Sequence, residues 1–155
     1  MPLTELGRAQ ARETARALAG ERLDGLYASD LQRALETARI VGEPHGLPPR
    51  TDRRLRELDV GEWEGLHRDQ IAARWPELLG RFDAVDPHAR PPGGETRAEL
   101  AARVRLALDE LCARHAADAQ LVVVAHGGVL ASVVGSFGHA NAAIVRWSWP
   151  EASKR

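Results

Sequence analysis

The chain has one cysteine, one lysine, one tyrosine and no long apolar run, and each scarcity removes a class of protein. With Cys112 alone there is no internal disulfide, and the expected setting is a reducing cytoplasm. Lys154 is the sole lysine, so arginine carries almost all the positive charge, a bias of composition more than of function. No apolar stretch approaches the roughly 20 residues of a membrane-spanning helix, and the N-terminus shows no basic-then-apolar signal. No membrane association is expected. A formal net charge of −1 argues against a nucleic-acid binder working by bulk electrostatics. His45, His67, His88, His115, His126 and His139 show neither HxH nor HExxH spacing. With one cysteine beside them, no metal site and no cofactor are expected.

What is there fits one domain. At 155 residues, 44% hydrophobic and 28% charged, the chain can bury a real core. Thr4 reads as the N-cap of a helix over 5–19, rich in Ala, Leu, Arg and Glu and stopped by Gly20. A short strand is predicted over 23–28, weakened by Gly25. Ser29-Asp30-Leu31-Gln32 has the spacing of a capping box and would open a helix running to about His45. Residues 50–59 form an arginine-rich connection with little periodicity, and Gly61-Glu62-Trp63-Glu64-Gly65 is a glycine-bracketed turn. Residues 67–75 and 77–84 read as two short helices broken at Trp75-Pro76, because proline disfavours helix in the residue before it. The longest loop, 86–95, holds three prolines and two glycines, and such loops are often lids or binding loops. Thr96 caps a helix over 97–116 whose apolar face includes Leu100, Val104, Leu108 and Leu111. A helix over about 129–136 and a final strand over 143–149 follow. In that strand Val145, Trp147 and Trp149 face one way, Arg146 and Ser148 the other. The polar tail over 151–155 is expected to fray. Strands alternating with helices imply an α/β/α sandwich around a mostly parallel sheet.

The stretch that organises this pattern is LVVVAHGG, residues 121–128. Four apolar residues, three of them β-branched, make a central-strand pattern ending in His126, Gly127 and Gly128. An imidazole at a strand's carboxyl end, followed by glycines and a helix N-terminus, suits an anion. The same residues also fit a histidine that only hydrogen-bonds its loop. Arg33, in the first turns of its helix, is either an anion contact or one more solvated arginine. Ser29 and Asp30 are explained by capping.

Five ordered stretches resemble the histidine phosphatase superfamily, the phosphoglycerate-mutase-like group. They are Pro2-Leu3-Thr4-x-x-Gly7-x-x-Gln10-Ala11, Ser29-Asp30-Leu31-x-Arg33-Ala34-x-x-Thr37-Ala38, Leu55-x-Glu57-x-x-x-Gly61-x-Trp63-Glu64-Gly65, Pro92-Gly93-Gly94-Glu95-Thr96 and Val124-Ala125-His126-Gly127-Gly128. The resemblance implies a three-layer fold and metal-independent chemistry on a small phosphorylated metabolite. It implies that Arg33 and the Gly127 backbone hold the phosphoryl group, that Glu57 donates a proton to the leaving oxygen, and that His126 contacts the transferring group. The compact segment between Gly65 and Gly93 and the wording around Glu57 resemble the phosphatase branch. Phosphoglycerate-mutase-type transfer and a non-catalytic ligand- or partner-binding descendant are the alternatives. A homodimer is possible.

One departure matters. The family's Arg-His-Gly triplet, whose histidine is the nucleophile, occurs nowhere in the sequence. The first strand that carries it in the family is expected to be missing, which would leave the chain inactive or strongly impaired. A coding start placed too far downstream or a truncated chain are the leading explanations. A rearranged sheet or a strand donated by another copy are the others.

Overall fold

The computed structural model describes residues 1–135 and 140–149. Among these described residues three parallel strands make the sheet: β1 (Gly25–Ala28), β2 (Arg50–Thr51) and β3 (Leu121–Val124), in the order β2-β1-β3. Six α-helices accompany them within the same residues: α1 (Glu5–Leu18), α2 (Gln32–Gly42), α3 (Arg68–Arg74), α4 (Pro76–Asp83), α5 (Arg97–Cys112) and α6 (Gly127–Val134). The two faces of the sheet follow the two-residue period of strands. Leu26, Ala28, Val122 and Val124 pack toward Ala38 of α2. Tyr27, Leu121 and Val123 pack toward α5 and Val129 of α6. Three layers result. Among the described residues no helix is long and apolar enough to cross a membrane.

Local chemistry explains the element boundaries. The Thr4 hydroxyl accepts the Gly7 N–H and opens α1. Thr96 and Glu99 form a reciprocal capping box at the start of α5, as the sequence pattern implies. The buried stripe of α5 is Leu100, Val104, Leu108 and Leu111, joined by Ala107. Each such leucine contributes about 1.5–3 kcal/mol by leaving water. The helix ends at Cys112, before the predicted 116. Trp75 separates α3 from α4 as its neighbour Pro76 requires.

Four expectations are corrected. Ser29 and Gln32 form no capping box: Leu31 is the N-cap of α2, and no side chain caps it. The Ser29 hydroxyl instead accepts the Leu31 N–H and turns toward the end of β3. Residues 50–59 contain β2 and a single 3₁₀ turn at Arg53–Leu55, both too short to leave a periodic signal. β3 is not central. Among the described residues it is hydrogen-bonded only to β1, and all four of its residues are half-buried, whereas Leu26, Tyr27 and Ala28 of β1 are buried. Finally, 143–149 forms no regular element and, among the described residues, pairs with no strand. Its predicted alternation is nonetheless present, with Val145, Trp147 and Trp149 half-buried and Arg146 and Ser148 exposed. Helix α6 starts two residues earlier than expected and ends at Val134, where Gly135 turns left-handed at φ 69°, short of the expected 136; the tail over 151–155 lies outside the described residues.

Candidate active site

Three chain segments converge at the carboxyl end of the sheet. β1 ends at Ala28 and delivers Ser29, β3 ends at Val124 and delivers His126, and the Ser29 N–H donates to the Val124 carbonyl at 3.0 Å. Ser29 is fully buried, and its Oγ lies 2.9 Å from His126 Nε2. A serine with no exposed surface cannot reach an external phosphorus; it fixes the imidazole plane.

His126 is only 7% exposed. Burial, then the positive charge of Arg33, pushes its pKa down to about 4 against a smaller opposing effect of Glu57. The imidazole is therefore neutral at pH 7. Arg33 points into the same cavity from the first turn of α2, and its guanidinium has no hydrogen-bond or ion-pair partner among the described residues. A guanidinium without a partner among the described residues, beside a neutral imidazole that can take up a proton, is favourably placed to receive an anion.

Glu57 reaches the site from the loop after β2. Its Oε1 accepts the Leu58 N–H at 2.8 Å, and its Oε2 accepts the Gly128 N–H at 3.2 Å, at the N-terminus of α6. A Cβ on Gly128 would stand 2.3 Å from Glu57 Oε1, so a side chain there would displace the carboxylate from its present position. Gly127, by contrast, faces open space and lines the cavity with Arg33, Glu57 and His126. All four residues singled out from sequence thus share one cavity.

Residues that the sequence reading missed hold this arrangement. Arg103 of α5 donates to the carbonyls of Arg54, Arg56 and Glu57 at 2.7, 2.8 and 3.0 Å and pairs with Glu95. It fixes the backbone that presents Glu57. Arg56 forms a two-point ion pair with Asp30 at 2.6 and 2.7 Å, tying that loop to the end of β1. Glu95 also accepts the Asp59 N–H. Gly61 and Gly94 let the two loops touch back to back: a Cβ on Gly61 would meet the Pro92 carbonyl at 2.2 Å, and one on Gly94 the Asp59 carbonyl at 2.5 Å. The glycine-rich loop over 86–95 is therefore a brace for the Glu57 loop. Among the described residues no group of three His, Cys, Asp or Glu side chains could hold a metal ion.

The family model for the histidine phosphatase superfamily (branch 1) matches residues 1–153. A glucosyl-3-phosphoglycerate phosphatase of Mycobacterium tuberculosis is 41% identical over 140 residues, 84% of this chain and 61% of the relative. Phosphoglycerate mutase-like protein 4 of Arabidopsis thaliana is 37% identical over 134 residues, 84% of this chain and 58% of the relative. Among solved structures, the mycobacterial glucosyl-3-phosphoglycerate phosphatase with inorganic phosphate superposes with a TM-score of 0.78 at 40% identity, covering 86% of this chain and 68% of its own. YhfR of Bacillus stearothermophilus gives 0.79 at 36% identity, covering 86% and 66%. The chain spans about three-fifths of the length of the curated relatives it matches.

Proposed function

The chain belongs to the histidine phosphatase superfamily, branch 1, and from that premise we propose that its cavity binds the phosphoryl group of a small phosphorylated metabolite, without metal. The observation that carries this reading is the Arg33 guanidinium, without a partner among the described residues, beside the desolvated His126. In it, Arg33 forms a two-point bond to the phosphoryl oxygens, and the Gly127 N–H, at the first turn of α6, adds a backbone donor. His126 gains a proton as the dianion arrives and becomes a second cationic donor. Glu57 faces the leaving oxygen and supplies its proton when the ester bond breaks. These are the charge-stabilising parts that phosphoryl transfer needs.

A phosphatase is favoured over a mutase. The glucosyl-3-phosphoglycerate phosphatases at 41% and 37% identity support it, as does the compact 65–93 segment, which holds only α3, α4 and the bracing loop. In this reading the 155-residue chain binds phosphate esters but does not hydrolyse them. Ser29 is sealed from the cavity, and His126 already serves the phosphoryl oxygens, so in this reading no side chain among the described residues stands free to attack phosphorus in line.

Two measurements on the purified chain test the proposal. Calorimetric titration with inorganic phosphate is expected to show one site, weakened at least about tenfold in Arg33→Ala, since a charge-assisted pair contributes about 1.5–3 kcal/mol. Incubation with p-nitrophenyl phosphate is expected to release no nitrophenol. Absence of phosphate binding would refute the site; steady turnover abolished by His126→Ala would refute the inactivity.

A further inference from the structure

Ser29 and His126 meet where β1 and β3 end, and the groups around them decide which way their hydrogen bond points. The Ser29 Oγ accepts the Leu31 N–H at 3.2 Å and lies 2.9 Å from His126 Nε2. It has no third partner among the described residues. Ser29 is fully buried, so water does not reach the hydroxyl. The other ring nitrogen, Nδ1, bonds to nothing among the described residues. It is not sealed in the interior, since His126 lines the cavity together with Arg33, Glu57 and Gly127.

A neutral imidazole carries one proton, and the hydrogen bond made by one nitrogen fixes the state of the other. If Nε2 carried the proton, Nε2–H and the Leu31 N–H would both donate to Oγ. The hydroxyl proton would then be buried with no acceptor among the described residues, which disfavours that state by about tenfold or more. If Nδ1 carries the proton, every group is served. The Leu31 N–H donates to Oγ, the hydroxyl donates to the Nε2 lone pair, and Nδ1–H opens to the cavity. The charges facing the ring act in opposite senses. Arg33 disfavours a proton on the imidazole and Glu57 favours one, Arg103 and Asp30 repeat that opposition more weakly, and none of the four bonds to the ring. The direct bond to Ser29 therefore decides.

We infer that Ser29 is a positioning residue that holds His126 in the Nδ1–H tautomer, with a fixed N–H donor toward the cavity and the ring's lone pair turned away from it. The tautomer does not rest on the phosphate reading; what it does to a phosphoryl group does. On that reading Nδ1–H joins Arg33 and the Gly127 N–H as a third donor before any proton is taken up. The proton that His126 gains from a bound dianion goes on at Nε2, and the Ser29 hydroxyl turns from donor to acceptor. In neither state does the ring offer a lone pair to the ligand. His126 therefore neither attacks phosphorus nor takes a proton from water, because both steps need that lone pair. Its part is confined to stabilising the phosphoryl oxygens, and Ser29 is what confines it.

The test is long-range proton–nitrogen-15 NMR of the histidine-labelled, phosphate-free chain at pH 7, where the ring is neutral. A ring nitrogen that bears a proton and one that bears a lone pair resonate far apart, and the His126 signals are identified by their loss in His126→Gln. The ring is expected as Nδ1–H over Nε2–H by about tenfold or more. Ser29→Ala removes the hydroxyl donor, and Ser29→Cys replaces it with a weak one. In both the ratio is expected to fall by about tenfold. A serine that served packing alone would leave the tautomer unchanged in either folded variant, and that result would overturn the inference. A wild-type ring found as Nε2–H, or as an averaged mixture, would overturn it too. Because phosphate is absent, the outcome is independent of whether phosphate binds.

Discussion

The carboxylate of Glu57 occupies the space that a side chain on Gly128 would need. The two residues are 71 positions apart, yet Oε2 accepts the Gly128 N–H and a Cβ would fall 2.3 Å from Oε1. The start of α6 and the loop after β2 are thereby set by one another, and His126, immediately before α6, is set with them. Gly128→Ala should therefore displace Glu57. The atom displaced is the flexible end of a side chain, so the expected net cost, mainly the lost Gly128 N–H hydrogen bond offset by the helix preference for alanine, is below about 1 kcal/mol, to be measured by urea unfolding. Gly127→Ala, which meets open space, is the control and should be neutral or stabilising. Equal costs at the two glycines would contradict the packing argument.

Arg103 organises the Glu57 loop through carbonyl groups that nothing else satisfies in the same way. Arg103→Met keeps the stem but strips four hydrogen-bonded partners, three carbonyls and the Glu95 carboxylate. Destabilisation of about 2–4 kcal/mol is expected. Arg103→Lys should recover little of it, because an ammonium cannot reproduce the fork. Full rescue by lysine in a denaturant titration would show that charge alone matters there.

Val85 is a residue in the wrong conformation for its type. It sits just after α4 with φ 59°, a left-handed geometry that β-branched side chains resist, and it is 45% exposed. The bonds Val85 N–H to Phe82 and Asp86 N–H to Arg81 close the helix as a Schellman motif, where glycine is the preferred residue. Val85→Gly should stabilise the chain by about 1 kcal/mol, since relief of strain exceeds the small loss of burial. A lower melting temperature in the variant would overturn this.

His126 makes stability depend on pH with a definite sign. Its folded pKa, about 4, lies below the ordinary value of 6.5, so the unfolded chain binds the proton more readily. The stability it contributes is complete above pH 6.5 and is lost as the pH falls toward 4. The shift corresponds to an order of magnitude of about 3 kcal/mol. His126→Gln should flatten that part of the stability profile between pH 7 and pH 4; an unchanged slope would remove His126 as its cause.

Much of this was legible in the chain. Arg33, Glu57, Gly127 and His126 sit in recognisable local patterns, and strand ends bring them to one cavity. The helices were readable because Ala-, Leu- and Arg-rich runs have a long period and clear stops. Ser29 was misassigned because a serine before a helix looks the same whether it caps or turns away; only the position of Val124 and His126 decides. Arg103 was invisible for a related reason. It is one of many arginines on a helix, and its partners are backbone carbonyls 46 to 49 residues away. The alternation over 143–149 correctly gave the facing of its residues, but pairing requires a neighbour, which periodicity cannot supply.

The central claim, an anion site built from Arg33 and His126, is tested most directly by the imidazole itself. Nitrogen-15 NMR of ring-labelled His126 should show a titration midpoint near pH 4 in the phosphate-free chain. Saturating inorganic phosphate should move that midpoint upward by about one unit or more, as a bound anion offsets Arg33 and burial, and Arg33→Ala should weaken the phosphate dependence. A midpoint that phosphate leaves in place would mean that no anion binds beside His126, and the functional reading would fall with it.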